Sequence, residues 1–278
     1  MRRIAVTGST GALGGQVVQL LAATGEQEVV ALARRPDPAA RHPIVSVRAD
    51  YTDLDSLRSA LRGVDTLVFI SSDGEAARMM IHHQNVVRAA VENEVKHVVY
   101  LSGLDADLAS PFCYAYTNGY TEQLLAEHGC PVSIARASIF TEFFLALARR
   151  GRSTGELRLP MADGRISLIS KQDVGRCLAA LATAPPTNRY HEITGPESLD
   201  LAAIAEIAGR AWGMPVRHTD VRPAEFAAEL ALGGEDPWWT YAYSSMFASV
   251  REHRWEGTSD EVLRLTGRAP LPAAEVLN

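Results

Sequence analysis

Apolar and polar positions along the chain follow two different periods. Short apolar, β-branched runs at Ile4–Thr7, Val29–Ala33, Val45–Arg48, Thr66–Ile70, His97–Leu101 and Val132–Ala135 read as strands. The segments between them repeat apolar residues at three- and four-residue spacings and read as amphipathic helices. Strand and helix in regular alternation predict βαβ units, a parallel sheet and right-handed crossovers. The result is a doubly wound α/β fold whose ligands lie outside the carboxyl ends of the strands. After Ser138 the alternation loosens into a helical TEFFLALARR, a strand-like ISLIS, a helical KQDVGRCLAALAT, a strand-like YHEIT and a helical LDLAAIAEIAGRAW. We expect a core over residues 1–138, and over 139–278 a completion of the sheet interleaved with a small C-terminal, substrate-facing lobe, with no linker marking a separate domain.

The first strand runs into VTGSTGALGGQVV, which sets Gly8, Gly11 and Gly14 between strand and helix. In such a turn the first glycine permits the tight bend, the second lets backbone approach a pyrophosphate, and the third lets the helix pack closely. The helix N-terminus adds amides and a positive dipole end. Thr7, Gly8, Thr10, Gly11, Ala12, Leu13 and Gly14 are therefore candidate cofactor-binding residues of a Rossmann fold. A tight turn with close helix packing and no ligand needs the same residue type; the β-branched strand before it and its place as the first β-turn of the chain favour a dinucleotide. At the end of the second strand, Arg34 and Arg35 stand where an acidic residue would mark NAD. A guanidinium there takes the 2′-phosphate of NADP(H) in a forked contact, the other reading being a basic, solvated turn. Asp50, followed by Tyr51, is placed either to reach the adenine amino group or to cap the next helix. Ser71 and Ser72, with Ile70 before them, would flank the ribose.

Composition removes several alternatives. The chain has 278 residues, 47% of them apolar, and a net charge of -6, with no Lys/Arg cluster that would neutralise a row of nucleic-acid phosphates. No apolar run approaches the roughly 18 residues a membrane span requires, and the chain opens directly on a strand, so we expect a cytoplasmic protein without signal peptide or anchor. Cys113, Cys130 and Cys177 lie far apart and read as reduced thiols. His82 and His83 are neighbours about 100° apart on a helix, which prevents both from reaching one ion, so no metal site is expected and both read as solvated surface.

IAVTGSTGALGGQVV, VRADYTDLDSLRSALRGVD, LVFISS, HVVYLSG and ITGPESLDLAAIAEIAG resemble the NmrA-like group of atypical short-chain dehydrogenases, and within it the triphenylmethane reductases and the type-2 NADPH quinone oxidoreductases. The resemblance extends from residue 1 to SDEVLRLTGRAPLP. It implies a Rossmann fold, NADP(H) and a homodimer. The same group also holds isoflavone-reductase-like enzymes, and regulators that bind NADP without turnover.

Ordinary short-chain dehydrogenases use a Tyr-x-x-x-Lys pair to exchange a proton with a carbonyl oxygen. Here the only lysines are Lys96 and Lys171, and neither follows a tyrosine by four residues. The corresponding segment is FCYAYTNGYTEQLL, in which Asn118 and Glu122 occupy the Tyr and Lys places. The relatives often carry His-x-x-Thr-Glu there, so Asn118 is a departure. Tyr114, Tyr116 and Tyr120 are proton donors or aromatic packing; Tyr114 and Asn118, spaced i,i+4, form the preferred polar pair. The family also implies a hydroxyl beside the nicotinamide at Ser102, and places Ser138 and Phe140 facing its ring. Farther on, EDPWWTYAYSSMF gathers Trp238, Trp239, Tyr241, Tyr243 and Phe247, either as a flat wall for a planar ligand or as a core helix or dimer contact. Candidate catalytic residues are thus Tyr114, Asn118 and Ser102, and candidate substrate-binding residues are Phe140, Trp238, Trp239 and Tyr243. The function expected is NADPH-dependent hydride transfer to a planar electrophile such as a quinone, an enone or an aromatic, polyketide-like compound. The alternative is a redox-sensing regulator.

Overall fold

The computed structural model describes residues 1–276. Strands β1 (Arg2–Val6), β2 (Gln27–Ala33), β3 (Ile44–Arg48), β4 (Thr66–Phe69), β5 (His97–Gly103) and β6 (Val132–Ala137) join β8 (Tyr190–Ile193) in one sheet of order β3-β2-β1-β4-β5-β6-β8. The pairs β1/β2, β1/β4, β2/β3 and β4/β5 are parallel. Helices α1 (Ala12–Ala22), α2 (Leu54–Ala60), α3 (Ala76–Glu92) and α4 (Cys113–Glu127) connect them. Strand order reverses between β1 and β4, where doubly wound sheets open a ligand crevice. The central strands are covered on both faces, and Ile4, Ala5, Val6, Leu67, Val68 and Phe69 have no exposed surface. That double burial is why they read as continuous apolar runs rather than as an alternation.

The chain divides into two compact units. One comprises residues 1–102, 117–136 and 174–191; the other comprises residues 103–116, 137–173 and those from 192 onward. The core of the first is built on Leu57, Leu61, Leu67, Phe69, Tyr100 and Leu125. The second holds β7 (Glu156–Leu159) and β9 (Arg217–Asp220), which pair in parallel as a separate two-stranded sheet, and the helices α5 (Thr141–Ala148), α7 (Leu201–Trp212), α8 (Pro223–Leu232) and α9 (Pro237–Arg251). Its core centres on Phe144, Leu157, Met161, Phe226 and Phe247. Helix α6 (Lys171–Thr183) precedes β8, as the patterns of KQDVGRCLAALAT and YHEIT indicate.

The expectation for ISLIS is corrected. Ile166–Ser170 is buried throughout but forms no strand. Its amides are shared among three partners: Ile166 donates to the Leu199 carbonyl, Ser167 to Trp255 and Ile169 to Ile139. An apolar run satisfied by separate neighbours has no ladder, and sequence periodicity does not tell the two apart. The β7/β9 sheet has no counterpart in the sequence reading.

Candidate nucleotide site and polar cluster

The three glycines of the first turn have three different structural reasons. Gly8 has φ +61°, in the left-handed region that side chains disfavour. A Cβ on Gly14 would lie 2.2 Å from the Gly8 carbonyl oxygen, so only hydrogen fits. Gly11 is different: its φ is -80°, and a Cβ there would meet nothing nearer than the Gly8 oxygen at 3.3 Å. A side chain at Gly11 would press on that backbone oxygen by only a few tenths of an ångström, a far milder conflict than at Gly14. Gly11 caps α1 without any side-chain hydrogen bond to the helix, and Thr10, Gly11 and Ala12 are exposed, so the positive end of the helix faces solvent. These features fit a diphosphate. Leu13 turns its side chain into the core, leaving only its backbone for a ligand.

Around this loop the first unit builds a rim. Arg34 and Arg35 follow β2, both exposed, and neither forms an ion pair at salt-bridge distance among the described residues. Asp50 is not a helix cap: Asp53 caps α2 by accepting from the Ser56 amide, while Asp50 accepts from the amide and hydroxyl of Thr52. Those two bonds hold the Asp50 carboxyl below its ordinary range, and Arg34 and Arg48 add to the effect. Thr7, expected at the cofactor, turns its side chain inward to brace β4. It is 1% exposed, and its hydroxyl receives the Ile70 amide at 2.8 Å and lies 3.0 Å from the Ile70 carbonyl. Tyr51 donates to the same carbonyl at 2.6 Å. This double clasp fixes the exit of β4, where half-buried Ser71 and Ser72 follow.

The histidine pair is also corrected. His82 is half-buried beside Ser72, at 2.9 Å, whereas His83 has no exposed surface and lies 2.6 Å from the Thr121 hydroxyl. Burial, with a smaller push from His82, drives its pKa down to about 3. Its spacing from Met79 and Val86, both buried on α3, is the signal that places it on the apolar face.

Where α4 meets β5 and β6, two polar groupings stand within the first unit. Tyr100, without exposed surface, donates its hydroxyl to Asn118 Oδ1 at 2.9 Å. Ser102, 4% exposed, donates to Glu122 Oε1 at 2.6 Å, and Arg136 grips both oxygens of Glu122 at 3.0 and 2.5 Å. The Arg136 guanidinium also lies 3.9 Å over the Tyr190 ring. Tyr100 and Arg136 were not singled out by the sequence, because their partners Asn118 and Glu122 lie on a helix elsewhere in the chain.

The second unit carries the aromatic residues. Tyr114 receives a hydrogen bond from Trp238 Nε1 at 3.2 Å and packs edge-on to Trp238 and Trp239. Trp239 stacks on Tyr243 at 5.7 Å, and Tyr243 lies against Phe143 at 5.8 Å. Trp238, Trp239 and Tyr243 are half-buried, whereas Phe247 belongs to the core with Phe144 and Phe226. Ser138 is buried and accepts from the Ser167 hydroxyl at 3.2 Å; half-buried Phe140 precedes α5. Two open hollows, of about 460 Å³ beside Arg2 and Lys96 and about 350 Å³ between α7 and β9, contain none of these residues.

An open doubly wound sheet with an exposed glycine turn at its first strand end is a dinucleotide-binding protein of the Rossmann class. The model of the NmrA-like family matches residues 1–238, and the chain belongs to that family. It is 33% identical over 236 residues to quinone oxidoreductase 2 of Escherichia coli, covering 83% of this chain and 82% of that protein. The crystal structure of an NADPH-dependent quinone oxidoreductase of Escherichia coli, complexed with NADPH, superposes with a TM-score of 0.91 at 29% identity, over 99% of this chain and 98% of the other. The Citrobacter sp. triphenylmethane reductase complexed with NADP(H) superposes with a TM-score of 0.88 at 25% identity, over 99% and 98%.

Proposed function

We propose that this chain is an NADPH-dependent reductase of small, planar, electrophilic molecules. The observation that carries the reading is Gly11, under far milder packing constraint than Gly14, at the exposed end of a helix with no side-chain cap. The amides of residues 10–14 would hold the diphosphate, Arg34 and Arg35 the 2′-phosphate, and Asp50, Ser71 and Ser72 the adenosine. The bound nucleotide supplies hydride. The chain's contribution is to hold the acceptor and to direct charge at it, because no Tyr-x-x-x-Lys pair is present to move a proton. Phe140, Trp238, Trp239 and Tyr243 would bind the acceptor, their aromatic faces suiting flat molecules. Membership of a family that includes oxidoreductases acting on quinones and dyes supports the reading.

NADPH oxidation followed against a panel of quinones, enones and cationic dyes tests this. Acceptor-dependent consumption is expected. Tight NADPH binding with no consumption by any acceptor would move the chain to the regulator reading.

A further inference from the structure

Within the first unit, most hydroxyl protons near α4 already have a destination. That of Ser102 goes to Glu122 and that of Tyr100 goes to Asn118. The phenol of Tyr100 has no exposed surface, and burial raises its pKa, so it is a poor proton source. The Tyr100 hydroxyl donates to Asn118 Oδ1 at 2.9 Å, while the Thr121 hydroxyl beside it donates to the Thr117 carbonyl at 2.8 Å. Asn118 itself is half-buried, its Oδ1 is taken, and its Nδ2 has no protein partner among the described residues. An amide whose oxygen is pinned has a fixed flip. Its two N–H groups then point away from Tyr100, with no acceptor for them among the described residues.

We propose that Asn118 donates its Nδ2 hydrogens to a carbonyl oxygen of the acceptor and that Tyr100 is the residue positioning that amide, so that carbonyl acceptors draw on Asn118 and acceptors without such an oxygen do not. The proposal rests on the reductase reading above. In the step, hydride leaves NADPH, which is oxidised to NADP⁺, and forms a new bond to the conjugated acceptor. The carbonyl π pair moves onto oxygen, giving a phenolate or enolate, and water protonates it. An amide proton is too weakly acidic to be transferred, but a donor aimed at an oxygen that gains charge lowers the barrier without giving up its proton. A triarylmethyl cation has no such oxygen and draws nothing from Asn118.

The experiment has two arms. In turnover, Asn118→Ala should lower kcat for a quinone about 100-fold with little change in KM, while reduction of a triarylmethane dye falls far less. Tyr100→Phe should cost about tenfold, and should cost nothing further in the Asn118→Ala background, because it acts only through that amide. In binding, pentafluorophenolate, a planar oxyanion, is titrated into the NADP-loaded protein by fluorine NMR. Asn118→Ala should weaken it at least about tenfold, and Asn118→Asp further, while NADPH affinity holds. Equal losses for quinone and dye, or equal phenolate affinity in all variants, would overturn the proposal. Full quinone turnover in Asn118→Ala would sink the oxygen site and leave the reductase reading intact. Phenolate binding through Asn118 without turnover of any acceptor would sink the reading and keep the site.

Discussion

Arg136 of β6 holds Glu122 of α4 through both carboxylate oxygens, at 3.0 and 2.5 Å. The carboxylate is 5% exposed and the arginine side chain 23%, so the pair is largely out of water. Arg136→Met would leave a buried anion with Ser102 as its remaining side-chain donor among the described residues. We expect a loss of about 3 kcal/mol, read from urea unfolding, with much of it restored in Glu122→Leu/Arg136→Met. Equal stability of Arg136→Met and the parent protein would show the pair to be loosely held.

The first turn separates structural from ligand-driven glycines. Gly14→Ala forces a Cβ to 2.2 Å from a carbonyl oxygen and should unfold or severely destabilise the protein. Gly11→Ala meets only a 3.3 Å contact and should keep stability within about 1 kcal/mol. Calorimetric titration should nevertheless show NADPH binding at least about tenfold weaker in Gly11→Ala. Unchanged affinity would remove the reason given for that glycine.

Nucleotide choice should reside in the exposed arginines after β2. Charge-assisted bonds from a guanidinium to phosphate are worth about 1.5–3 kcal/mol. Arg34→Ala/Arg35→Ala should therefore lower affinity for NADPH about tenfold to hundredfold and leave NADH almost unaffected. If both nucleotides weaken alike, the arginines act on something other than the 2′-phosphate.

Acid stability should follow the buried histidines. Burial holds His83 at about 3, with His82 adding, and holds His97 at about 4, with Arg2 adding. Unfolded imidazoles titrate near 6.5. Between those values the unfolded chain takes up protons that the folded chain refuses, so stability is full above about pH 6.5 and declines as pH falls toward 3. By pH 4 each histidine should cost about 3 kcal/mol. Thermal melts should thus be flat above pH 7 and fall steeply from pH 6 to 4, and His83→Leu should flatten that slope. An unaltered slope in His83→Leu would mean that another group governs it.

The sheet was legible in the sequence because a strand buried on both faces needs an unbroken apolar run, and residues 29–33, 66–70 and 97–101 supply one. The same signal misleads at Ile166–Ser170, where the run is buried but its amides go to separate partners. Strands β7 and β9, four residues each and rich in charge, carry too little pattern to be seen. In the candidate site, the glycine turn was legible because its constraints are local. The Tyr100–Asn118 and Glu122–Arg136 pairs were not, since each depends on how a helix lies against a strand. Thr7 looked like a ligand contact for the same reason: its partner, Ile70, is 63 residues away.

The nucleotide-binding unit is threaded from three stretches, and the backbone leaves or re-enters it after residues 102, 116, 136, 173 and 191. No single cut releases it. During synthesis it is incomplete until His191 has emerged, and a fragment ending at Ser138 would lack the strand that covers the far side of β6. Truncation anywhere before His191 therefore leaves that unit short of part of one of its stretches.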